Sequence, residues 1–127
     1  MTSLETIYGV MITGKNPNRF PMAKLSIESF FKQTYDNKHL LIIDDGYFDF
    51  NFSNEAVTHL KVSNGLTLGE LRNIALDYLP VNSIWIQWDD DDWHHRNVVS
   101  EQYKVLSKAK VPCCFMKRQI RYSFNKN

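Results

Sequence analysis

The stretch SIWIQWDDDD, residues 83–92, decides the fold: Ile84, Ile86 and Trp88 alternate with Trp85 and Gln87, and four aspartates follow at once. Alternation of that kind predicts a β-strand, and the abrupt change to carboxylates marks its C-terminal end. Two earlier segments repeat the pattern. Residues 6–12 (TIYGVMI) are a short, partly β-branched run closed by Thr13, Gly14 and Lys15. Residues 39–43 (HLLII) form an uninterrupted apolar run, as in a strand covered on both faces, and stop at Asp44, Asp45 and Gly46.

Between these strands the spacing turns helical. After Pro21, Met22, Leu25, Ile27, Phe30 and Phe31 predict a helix to about Thr34. Thr67 with Glu70 is a capping-box signature, and Leu68, Leu71, Ala75 and Leu79 fall on one face until Pro80. Residues 97–108 predict a third helix with Val99, Tyr103 and Leu106 on one side. Residues 57–62 read as a further strand, and 111–116 and 119–124 as two more. The order predicts one α/β domain over residues 1–127, with a mostly parallel sheet between helices. Ligands of such sheets bind outside the carboxyl ends of the strands, where Thr13, Asp44, Asp45 and the four aspartates should meet.

Composition sets the limits. With 127 residues, 43% hydrophobic and a net charge of +1, the chain has material for a core and no global field for polyanions, so nucleic acid is not expected. No apolar run approaches the roughly 18 residues of a membrane span, and the first twenty residues lack a signal-peptide core. A cytoplasmic protein is the expectation. Cys113 and Cys114 are adjacent and offer no disulfide framework; burial in a strand is expected of them.

Like charges side by side favour a compensating cation, and oxygen ligands suit Mg²⁺ or Mn²⁺. In an extended segment Asp89 and Asp91 would share one side, enclosed by Trp88 and Trp93. A solvated acidic loop is the alternative. His94 and His95 raise zinc, but no further His or Cys has the spacing of a closed zinc site. Asp44-Asp45-Gly46 reads either as a turn or as acceptors for a base N–H or a ribose hydroxyl. Arg72 could bring positive charge to the same place, and Gly69 would permit close backbone approach. Lys15 and Arg19 read first as solvated surface charge.

Taken in order, YGVMITGKNPNRFPMAKLSIESFFKQTY, LLIIDDG, GLTLGELRNIAL and IWIQWDDDDWHHRNVV resemble the family 2 glycosyltransferases of GT-A fold. That resemblance implies a Rossmann-like three-layer α/β/α domain that takes a sugar from a nucleotide-diphosphate donor, with UDP-sugar favoured, to an acceptor hydroxyl. It implies Thr13 at the nucleoside, Asp45 on the base with Asp44 in support, and Arg72 at the base or diphosphate. It further implies Asp89 and Asp91 as the metal-binding pair, Asp89 nearer the ribose, with Asp90 and Asp92 leaving the register open by one. The match covers only the donor half. The acceptor contacts and general base would then lie in a C-terminal continuation or a complementing subunit. A bare sheet edge would favour a homodimer. A binding module without transfer is the alternative, and a metal-dependent phosphoesterase is a more remote one.

Overall fold

A computed structural model describes residues 5–46, 48–50, 54–62, 65–110 and 112–114. Four strands, β1 (Ile7–Thr13), β2 (Lys38–Asp44), β3 (Val57–Lys61) and β4 (Ile84–Gln87), form one parallel sheet in the order β3-β2-β1-β4. Three helices connect or follow them: α1 (Phe20–Phe31), α2 (Leu68–Tyr78) and α3 (Val98–Ala109). The strand order reverses between β1 and β4, which makes their carboxyl ends the switch point of the sheet.

Alternation along β1 and β2 divides the core. Ile7, Met11, Leu40 and Ile42 face α1 and α3, where they pack with Ile27, Phe30, Trp88 and Val99. Val10, Leu41 and Ile43 face α2 and meet Leu71, Ala75 and Leu79. The described residues therefore form a parallel sheet with helices on both faces, consistent with a Rossmann-like α/β fold. No described helix is long and apolar enough to cross a membrane.

The elements predicted up to residue 110 are present with shifted ends. In α2, Glu70 N–H donates to Thr67 Oγ1 (3.1 Å) and Thr67 N–H donates to Glu70 Oε1 (2.9 Å), so the capping box forms in full. Helix α1 stops at Phe31 rather than Thr34, because Thr34 N–H donates instead to Arg96 O (2.8 Å) and Lys38 Nζ binds the carbonyls of Gln33 and Tyr35. Met22 and Leu25, two of the apolar residues whose spacing predicts the helix, are 47% and 65% exposed. At about 100° per residue Leu25 stands roughly opposite Ile27. Ala23, Ser26 and Ser29 occupy the inward face with Ile27 and Phe30. Leu68, in the first turn of α2, is exposed as well.

Pro112, Cys113 and Cys114 lie in no strand, and Cys113 is exposed, which corrects the expectation of buried strand cysteines. The rest of the expected strand over residues 111–116, and all of that over 119–124, lie outside the described residues.

Candidate metal and anion site

Strand β4 pairs with only the first half of β1, from Ile7↔Ile84 to Val10↔Gln87, and Trp88 N–H still donates to Val10 O (2.9 Å). Beyond Trp88 the two strands part, since β1 continues alongside β2 as far as Thr13. The aspartates enter the space that opens. Their backbone is held from below by buried polar residues of α1 and its C-terminal extension. Trp88 Nε1–H donates to Ser26 O (2.8 Å), and Ser26 Oγ–H donates to Asp89 O (2.6 Å). Gln33 donates to His95 O (2.8 Å) and accepts from Val99 N–H (3.0 Å), which ties the loop to the start of α3. Buried polar groups need such partners, and here the partners are loop backbone.

The four aspartates take two different roles. A turn at Asp90 and Asp91 replaces the expected extended segment. It sends Asp90 inward, where it is 3% exposed and accepts from Thr13 Oγ1–H (2.8 Å). Arg19 grips the same carboxylate with two bonds, Nε to Oδ2 (2.9 Å) and Nη2 to Oδ1 (2.6 Å), and Nη2 reaches Asp91 Oδ2 at 3.1 Å. A bidentate guanidinium–carboxylate pair is among the stronger charge-assisted contacts, and the bond to Asp90 holds Arg19 further in its charged form.

Asp89, Asp91 and Asp92 turn the other way and bring one carboxylate oxygen each within 4.8 Å of one another. The expected pair Asp89 and Asp91 is thus brought together, and Asp92 joins it. Partial burial, with Asp91 and Asp89 as neighbours, pushes the Asp92 carboxyl above the usual range. A cation would relieve that repulsion. An all-oxygen donor set fits a hard ion such as Mg²⁺ or Mn²⁺ and does not select zinc.

Beside the carboxylates a cleft of about 320 Å³ runs between α2 and β4. Arg19, Arg72, Gln87, Asp89, Asp90 and Asp91 supply its polar lining, and Val10, Ile12 and Trp85 its apolar floor. Arg72 is exposed and forms no hydrogen bond or ion pair with a described residue. Expected to enclose the aspartates, Trp93 is instead 77% exposed, while Trp88 is fully buried beneath them. His94 packs on Trp88 at 4.1 Å between ring centroids, and burial lowers its pKa. Its Nε2 is buried without a partner, and neither His94 nor His95 belongs to the ligand cluster.

At the end of β2 the acid is used differently. Asp44 is fully buried, and its carboxylate accepts from Gly46 N–H (2.8 Å) and Phe48 N–H (2.7 Å) and lies 2.7 Å from His59 Nε2. Gly14, at φ +111°, and Gly46 let the β1 and β2 loops touch: a Cβ on Gly46 would run into the Gly14 carbonyl. Asp44 therefore builds its loop. Asp45 is also buried, but its Oδ1 has no partner. Neither Asp44 nor Asp45 lines the cleft, whereas Arg72, Asp89, Asp90 and Asp91 do. Thr13 is linked to the cleft through Asp90.

Arg19, Asp92, Ser26 and Gln33 carry weight that sequence reading did not give them. Only Asp92 had a local signal, as a member of the acidic run; the others act through partners more than sixty residues away. Compared with known proteins, the chain matches no family model and no curated sequence.

Proposed function

We propose that the chain binds a nucleoside diphosphate through a divalent cation and forms the donor side of a glycosyltransferase similar to family 2. The observation that carries this reading is the grouping of Asp89, Asp91 and Asp92 at the switch point of a parallel sheet, beside a cleft with an unpaired Arg72. Asp89 and Asp91, with Asp92, would hold Mn²⁺ or Mg²⁺, which when bound supplies a Lewis acid for the departing diphosphate. Arg72 binds the diphosphate from the α2 side. The resemblance gives the base to Asp45, whose Oδ1 is unpartnered among the described residues but buried and outside the cleft lining, so that contact would need the β2 loop to shift. The ends of β2 and β4 flank β1, two strand spacings apart across the sheet and three residues apart along it, roughly 14 Å in all, a length on the scale of an extended nucleoside diphosphate.

A binding role without transfer is the second reading. What favours it is that the carboxylates lining the cleft are Asp89, Asp90 and Asp91, each assigned above to a cation or to Arg19. Calorimetric titration of UDP, GDP and dTDP with and without Mn²⁺ tests the shared core of both. Mn²⁺-dependent binding of one nucleotide supports it, and no binding of any of the three rejects it. Sugar transfer or hydrolysis from the matching donor then separates enzyme from binding module.

A further inference from the structure

Arg19 is held where a second positive wall of the cleft would be needed. Its Nε and Nη2 are engaged with Asp90 and Asp91, while its Nη1 makes no hydrogen bond with a described residue. Two of the five guanidinium donors are therefore unused on a side chain that is 41% exposed and lines the cleft. Arg72, also without a partner, lines it from α2. The buried Asp90 fixes the Arg19 fork in place, so little side-chain freedom is lost when the free edge meets an anion.

We propose that Arg19 is a diphosphate-binding residue, whose Nη1 edge takes a phosphoryl oxygen opposite Arg72 while its Nη2 competes with the metal for Asp91. The proposal rests on the cation and diphosphate reading above and assigns to it a residue outside the acidic run. Its mark is that the two affinities part. Removing Arg19 should free Asp91 for the metal and weaken the anion, whereas loss of a merely structural prop would weaken both.

The test compares wild type, Arg19→Lys and the double variant Arg19→Gln/Asp90→Asn, which removes the ion pair without leaving Asp90 buried and unpaired. Mn²⁺ affinity is read by electron paramagnetic resonance, and pyrophosphate affinity by calorimetry at saturating Mn²⁺. For the double variant we expect Mn²⁺ affinity unchanged or up to about threefold tighter, and pyrophosphate bound at least about tenfold more weakly, as for loss of one hydrogen bond between charged groups. Lysine should restore part of the anion affinity. Pyrophosphate affinity within about twofold of wild type, or a parallel fall in both affinities, overturns the role of Arg19. Wild type that binds neither Mn²⁺ nor pyrophosphate overturns the underlying reading instead, and Arg19 falls with it.

Discussion

The ends of β2 and β4 look alike in sequence, an apolar strand running into adjacent aspartates, yet they put the charge to opposite use. Asp44 turns back into the protein and satisfies two loop amides and His59. Asp89, Asp91 and Asp92 turn outward and crowd one another, with Arg19 reaching only Asp91 among them. What separates the two is the support available to each. The β2 loop closes on β1 through Gly14 and Gly46, so its acid is consumed by its own backbone. The β4 loop is held through carbonyls, by Ser26 and Gln33, so its backbone does not consume the carboxylates, which accept instead from the side chains of Thr13, Arg19 and Gln87. Acidic strand ends thus keep outward-facing carboxylates where other groups hold the loop.

The contrast would break most visibly at Gly46. Gly46→Ala should destabilise the fold by about 3 kcal/mol or more, read by urea denaturation, because the new Cβ meets the Gly14 carbonyl. Asp44→Ala should cost about 2–4 kcal/mol by leaving the Gly46 and Phe48 amides without an acceptor. A loss as small as that of a surface change would place Asp44 with the outward group.

Asp92→Asn should act in the other direction. The folded state holds this carboxyl above its ordinary range, so ionisation opposes folding and the penalty grows as pH rises from the usual carboxylate range through the raised value. Without divalent cation the variant should therefore unfold at slightly higher urea than wild type at pH 7. The difference should vanish below the ordinary carboxylate range. Asp91→Asn should change stability least, within about 0.5 kcal/mol, since Asp91 is exposed and meets only the edge of Arg19.

Much of the fold was legible because local signals and tertiary placement agreed. The alternation of Ile84 and Ile86 with Trp85 and Gln87 survives as the half-buried and exposed sides of β4, and Thr67 caps α2 with Glu70. Where burial is bought with hydrogen bonds, hydrophobic periodicity misleads. Ser26 and Ser29 hold the inward face of α1, while Leu25 faces solvent. The site was legible as a cluster and less so residue by residue. Asp89, Asp91 and Arg72 line one cleft, although a turn and not the expected extended segment brings the two aspartates together, whereas Asp44 and Asp90 are taken up by partners distant in the chain or in their own loop. No local pattern foretold that Arg19 would cross to Asp90, because an ion pair between residues 71 positions apart leaves no trace in either neighbourhood.

On the proposed function, the carboxylates at the end of β4 hold a divalent cation and those at the end of β2 do not. Titration of Mn²⁺ into wild type, Asp91→Asn and Asp45→Asn, followed by electron paramagnetic resonance, tests it directly. The account predicts one site in wild type, at least about tenfold weaker binding in Asp91→Asn, and wild-type affinity in Asp45→Asn. Equal Mn²⁺ affinity in wild type and a folded Asp91→Asn, or a loss confined to Asp45→Asn, would contradict it.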